Sequence, residues 1–98
     1  MVFDMSFEVL SQELEQFKPA KIFYVAGGGP HGHFQDRPFH SHQWAWKVTF
    51  EGATWICHWA LKQHVQPQVV LVGSAICENR PDPLASSYAA AKHALYGL

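Results

Sequence analysis

The chain has 98 residues, 48% of them apolar, and a formal net charge of −1, enough for one small domain with its own core and without the basic footprint that nucleic acid or an anionic membrane surface requires. No apolar run approaches the ~20 residues of a membrane-spanning helix, because Glu51, His58 and Lys62 interrupt the longest one. Cys57 and Cys77 lie in apolar stretches without paired spacing, and no charged-then-apolar leader precedes the first periodic segment, so a reduced, cytoplasmic setting is expected.

Phe7, Leu10, Leu14 and Phe17 recur at helical spacing with Glu8, Gln12, Glu13 and Gln16 between them, which predicts an amphipathic helix capped by Ser6. Lys18-Pro19 ends it, and Ile22-Phe23-Tyr24-Val25-Ala26 follows as a buried strand. Gly27-Gly28-Gly29-Pro30 stops the strand, and a polar loop runs to about Phe39. Residues 41–64 contain no breaker but Gly52 and predict one helix, with Trp44, Val48, Trp55 and Trp59 on one face and Phe50, Ala53, Cys57 and Ala60 on another. A helix apolar on two sides needs a sheet on one and a second surface on the other, for which a partner chain is the natural source.

After Pro67, Val69-Val70-Leu71-Val72 predicts a parallel strand covered on both faces. A loop over 78–84 carries Pro81 and Pro83, and residues 85–98 are alanine-rich and helical, with Ser86 or Ser87 as cap. No terminating signal follows, so this element is expected to continue past Leu98. Val2-Phe3-Asp4 reads as the stub of an earlier strand. The fold class is therefore α/β with βαβ crossovers. Two strands are too few to cover three helices, so residues 1–98 are expected to form a single partial domain.

Tyr88 and Lys92 carry the chemistry. Four apart on the last helix, they share a face, so the ammonium can approach the phenol. A free tyrosine, with a pKa near ~10, is a poor acid or base at neutral pH, and a neighbouring cation favours its phenolate. The run Val69-Val70-Leu71-Val72-Gly73-Ser74-Ala75-Ile76, the proline loop and YAAAKHALYGL together resemble the strand, serine and catalytic-helix block of short-chain dehydrogenases/reductases. The strand ending in Ala26-Gly27 is similar to that family's Asn-Asn-Ala-Gly turn, and Asp4-Met5-Ser6 to its segment beside the adenine.

The resemblance implies a partial, incomplete doubly wound Rossmann-like fold. It also implies hydride transfer between NAD or NADP, bound by the complete protein, and a small carbonyl or alcohol. Tyr88 would be the proton donor, Lys92 would tune it and hold the nicotinamide ribose, and Ser74 would polarise the substrate oxygen. Lys92, Asp4, Ala26 and Gly27 would line the cofactor, and a homo-oligomer would form through helices 41–64 and 85–98. The sequence departs from the pattern at named places. Ala75 stands at the usual serine position, thirteen before the tyrosine, and Ser74 is fourteen before it. Thr49 replaces the helical asparagine, and Tyr24 and Val25 replace the asparagines of the turn. No G-x-x-x-G-x-G joins a strand to a helix, so the chain resembles the middle third of the enzyme and is expected to bind nicotinamide dinucleotides weakly or not at all by itself. A noncatalytic oligomerising module on the same scaffold is the alternative.

His31, His33, His40 and His42, with Asp36 among them, form a second constellation that faintly resembles a metallo-hydrolase loop. Phe34 and Gln35 interrupt the required spacing, so solvated loop histidines near the substrate entrance are expected and no metal is assigned. The four tryptophans are expected to pack in the core and at an interface, and His58, His64 and His93 to lie at the surface or an interface.

Overall fold

A computed structural model describes residues 6–74 and 82–98. The first helix, α1 (Phe7–Phe17), begins where the Ser6 hydroxyl accepts from the Val9 amide and ends where Lys18 turns left-handed at φ 53° and donates its amide to the Leu14 carbonyl. No α1 residue is fully buried; Phe7 stacks on Trp55 with ring centroids 5.2 Å apart. Strands β1 (Lys21–Tyr24) and β2 (Gln68–Leu71) pair in parallel, Ile22 opposite Val69 and Tyr24 opposite Leu71, and the Val72 amide extends the ladder to the Tyr24 carbonyl.

Between the strands lies one helical run broken in phase. It comprises α2 (Phe39–Trp46), a π-turn (Lys47–Glu51) and α3 (Gly52–Lys62). The sequence predicted a single regular helix, and the π-turn corrects that. In the π-turn the Gly52 amide reaches back to the Lys47 carbonyl, so Val48, its partner in an ordinary helix, has a free carbonyl. The Tyr24 hydroxyl, arriving from β1, donates to that carbonyl at 2.5 Å. It can do so only because residue 52 has no side chain: a Cβ there would stand 2.0 Å from the hydroxyl.

The core stripe of this run is Ala45, Val48, Thr49, Gly52, Ala53, Ile56, Trp59 and Ala60. Small residues dominate it because the helix lies close to the sheet and to α4 (Ser86–Ala94), where bulky rings do not fit. Of the expected face, Val48 and Trp59 are buried and Trp55 is half-buried, but Trp44 is exposed. The final helix is also shorter than 85–98, since α4 gives way to a 3₁₀ turn over Leu95–Gly97. Neither Ser86 nor Ser87 caps it; the N-cap is Ala85, without a side-chain bond.

Among the described residues only one sheet face is covered. Phe23, Val25 and Val72 share the opposite face and are 60%, 69% and 39% exposed, so the expectation of cover on both faces does not hold for these residues. No helix is long and apolar enough to cross a membrane among the described residues.

Burial raises the Tyr24 phenol from 10.0 to about 12. Because the folded state then holds the proton to higher pH than the unfolded chain does, this stability contribution is complete below pH 10 and is lost as pH rises from 10 to about 12. Chemical denaturation across that window is expected to show the loss in the native sequence and a flatter profile in Tyr24→Phe; equal slopes would contradict it.

Candidate active site

The chain leaves β1 through Val25, Ala26 and three glycines, and each glycine fits against a different neighbour. A Cβ on Gly27 would lie 3.3 Å from the Lys92 Nζ, one on Gly28 3.1 Å from the Trp44 ring, and one on Gly29 3.1 Å from Ala45 and from the Tyr88 Cβ. The glycines thus serve close passage of backbone past α2 and α4. Thr49, fully buried on the π-turn, fixes this segment: its hydroxyl accepts from the Gly28 amide and donates to the Gly28 carbonyl, both at 3.2 Å.

Tyr88 and Lys92 come together beside it. Lys92 is 3% exposed, its Nζ lies 5.7 Å from the centre of the Tyr88 ring, and it donates to the Val72 carbonyl at 2.8 Å, just past the end of β2. Among the described residues no carboxylate pairs with it. Burying an ammonium without a counter-ion is expensive, and lysine is seldom found so deep. Three facts explain how this one is held: the carbonyl takes one N–H, the tyrosine ring offers its negative face, and the missing side chain of Gly27 lets the ammonium pack against the backbone there. Gly27 and Val72 follow the carboxyl ends of β1 and β2, which is where open α/β sheets form their sites.

Other sequence-predicted residues are placed less closely. Ser74 is partly buried two residues beyond Val72, on the segment Lys92 holds. Ala26 is partly buried next to Gly27. Asp4 and Ala75 lie outside the described residues.

The histidine constellation is divided. His42 is buried and spends both ring nitrogens, Nδ1 on the Ser87 hydroxyl and Nε2 on the Phe34 carbonyl at 2.9 Å. His40 and His42 both lie on α2, and the burial of His42 corrects the expectation that it is a solvated member of the entrance cluster. His31 is exposed and lies 3.9 Å from Asp82, a contact worth little in water. Among the described residues no three metal-ligating side chains converge.

The sequence reading missed three connections: Tyr24 to the π-turn, Thr49 to Gly28, and His42 to Ser87. Only the last left a trace, because His42 falls one turn before Ala45 on the buried stripe and Ser87 immediately precedes Tyr88.

A nicotinamide cofactor fits this site in part. Lys92 has N–H groups beyond the one given to Val72, and they lie against Gly27, where a side chain would crowd them, which suits donation to a polyhydroxyl group such as ribose. For the pyrophosphate, no glycine turn leads into a helix N-terminus among the described residues: Gly27–Gly29 runs on to the 3₁₀ turn at Phe34–Asp36.

No family model and no curated protein matches the chain. Solved structures do. A short-chain dehydrogenase/reductase from Vibrio parahaemolyticus is 25% identical, with a TM-score of 0.78 over 94% of this chain and 46% of that one. An acetoin dehydrogenase from Enterobacter cloacae is 28% identical, with a TM-score of 0.74 over 92% and 37%. An NAD+-bound xylitol dehydrogenase, at 19% identity and TM-score 0.72 over 92% and 36%, shares the fold. The chain thus spans less than half the length of each. With its parallel sheet, buried Lys92 beside Tyr88 and these likenesses, the chain is similar to short-chain dehydrogenases/reductases and has a partial α/β Rossmann-like fold.

Proposed function

We propose that the protein to which this chain belongs is an NAD(P)-dependent oxidoreductase that interconverts small carbonyl compounds and alcohols, with Tyr88 as its proton donor and acceptor. The observation that carries this reading is the burial of Lys92 against the Tyr88 ring without a carboxylate partner among the described residues. A structural lysine gains little from such a position, whereas a tyrosine that moves a proton is served by a cation held beside its ring.

When bound, the nicotinamide supplies or receives the hydride. The chain's own residues do the rest. Lys92, held by the Val72 carbonyl, lies beside Tyr88 and offers its other N–H groups to ribose hydroxyls over Gly27. Thr49 holds the Gly28 backbone, which keeps that floor in place. Ser74 is the residue assigned to the substrate oxygen, on the segment that Lys92 grips. A cytoplasmic setting and a homo-oligomer joined through helices 41–64 and 85–98 belong to the same proposal, with the exposed Trp46 and Tyr96 as contacts.

The alternative, a noncatalytic assembly module, is favoured by one observation: the Thr49 hydroxyl is spent on Gly28 in both directions. One experiment separates the two. The longer protein containing this chain is expected to consume NADH or NADPH with small ketones and aldehydes. The 98-residue chain alone is expected to show no micromolar NADPH binding by calorimetry. A folded longer protein that turns over no carbonyl compound with either cofactor would sink the oxidoreductase reading.

A further inference from the structure

We propose that His42 is a positioning residue for Tyr88, acting through Ser87; the inference rests on Tyr88 being the proton donor. Tyr88 is the third residue of α4, in the turn where helices fray and amides lack partners within the helix. That end has no cap of its own, since Ala85 offers no side chain to it and Asp82 is spent on the Leu84 amide of the preceding 3₁₀ turn. The first turn of α4 is instead pinned from outside. Ser87 is 2% exposed and its hydroxyl meets Nδ1 of His42, itself 3% exposed on α2.

The geometry also selects the tautomer of the ring. The Phe34 carbonyl only accepts, so Nε2 carries the hydrogen, and in the neutral imidazole Nδ1 is left to accept from Ser87. The Phe34 ring stacks on the imidazole at 4.1 Å and Phe39 meets its edge at 6.5 Å, so the histidine cannot swing. His42 thereby ties together α2, the loop that leaves β1 and the helix bearing Tyr88. A second bond between loop and helix entry, from the Gly32 amide to the Leu84 carbonyl at 2.7 Å, holds the same two segments in register.

A shift of ~1 Å at a reacting group costs on the order of 10²-fold in rate, so the pin should be visible in kcat. In the longer protein, Ser87→Ala and His42→Phe are each expected to lower kcat by about tenfold or more while KM for the cofactor stays within about twofold. The double variant is expected to be no worse than either single one, and His42→Asn, whose amide oxygen can accept from Ser87, to recover most of the rate. Additive losses, or an unchanged kcat, would overturn the proposal. Nuclear magnetic resonance on the 98-residue chain separates failure here from failure of the oxidoreductase reading. His42 is expected as the Nε2–H tautomer, and Ser87→Ala is expected to shift or broaden the Tyr88 ring signals while those of Tyr24 and Tyr96 stay put. An Nδ1–H tautomer, or Tyr88 signals indifferent to Ser87→Ala, overturns the pin whether or not the protein reduces carbonyls.

Discussion

Replacing Lys92 with methionine is expected to lower carbonyl reduction by the longer protein about 10²- to 10⁴-fold while leaving its folding stability unchanged or higher. The two halves of that result come from one fact. Lys92 is 97% buried with a backbone carbonyl and a ring face as its partners, so its desolvation is poorly offset, and an isosteric apolar side chain removes that penalty. The carbonyl of Val72 loses a donor, but it stands at a partly exposed strand end where water can replace it. A lysine kept for stability would show the reverse: lower melting temperature and little change in kcat. Steady-state kinetics with thermal denaturation of the same variant reads both.

The second large effect is at Gly52. In most helix positions alanine is preferred to glycine by about 1 kcal/mol. Here the sign is expected to invert, with Gly52→Ala destabilising by roughly 2–4 kcal/mol, from overpacking and from a buried carbonyl that loses its donor. The added Cβ would fall 2.0 Å from the Tyr24 hydroxyl, which must withdraw from Val48. Thr49 sits inside the same π-turn, so the Gly28 tether is expected to loosen with it. Urea denaturation checks the sign directly; a stabilised Gly52→Ala variant would show that Tyr24 does not lock the turn. Adding Tyr24→Phe separates the two costs, since a phenyl ring gives up the hydrogen bond but also part of the clash.

The order of elements could be read from the chain because it rests on local signals. Pro19 and Pro67 precede the strands, Ser6 caps α1, and the aliphatic run at 69–72 suits a parallel strand. The pairing of Tyr88 with Lys92 followed from helical spacing alone. What spacing could not supply were the contacts made across elements. The π-turn depends on a hydroxyl reaching from β1 to a helix 24 residues away, which no window of periodicity contains. That insertion also shifts the phase of the helix. It put Ala45 and Thr49 on the buried stripe and left Trp44, which strict 3.6-residue counting placed in the core, lying over Gly28 and exposed. His42 was grouped with its loop neighbours by proximity in sequence, whereas its burial comes from α4, 45 residues on. Each miss involves a side chain whose partner is distant in the chain, and each bears on how Tyr88 and Lys92 are held.

The most direct measurement is Tyr88→Phe in the longer protein, assayed for NAD(P)H-dependent reduction of whichever small carbonyl compound the native enzyme accepts. The substitution removes one oxygen from a partly buried ring and leaves its stacking beneath Lys92 in place. Loss of activity by about 10²-fold or more with the fold intact is the predicted result. Reduction at the native rate would show that Tyr88 moves no proton and that the buried lysine serves something else.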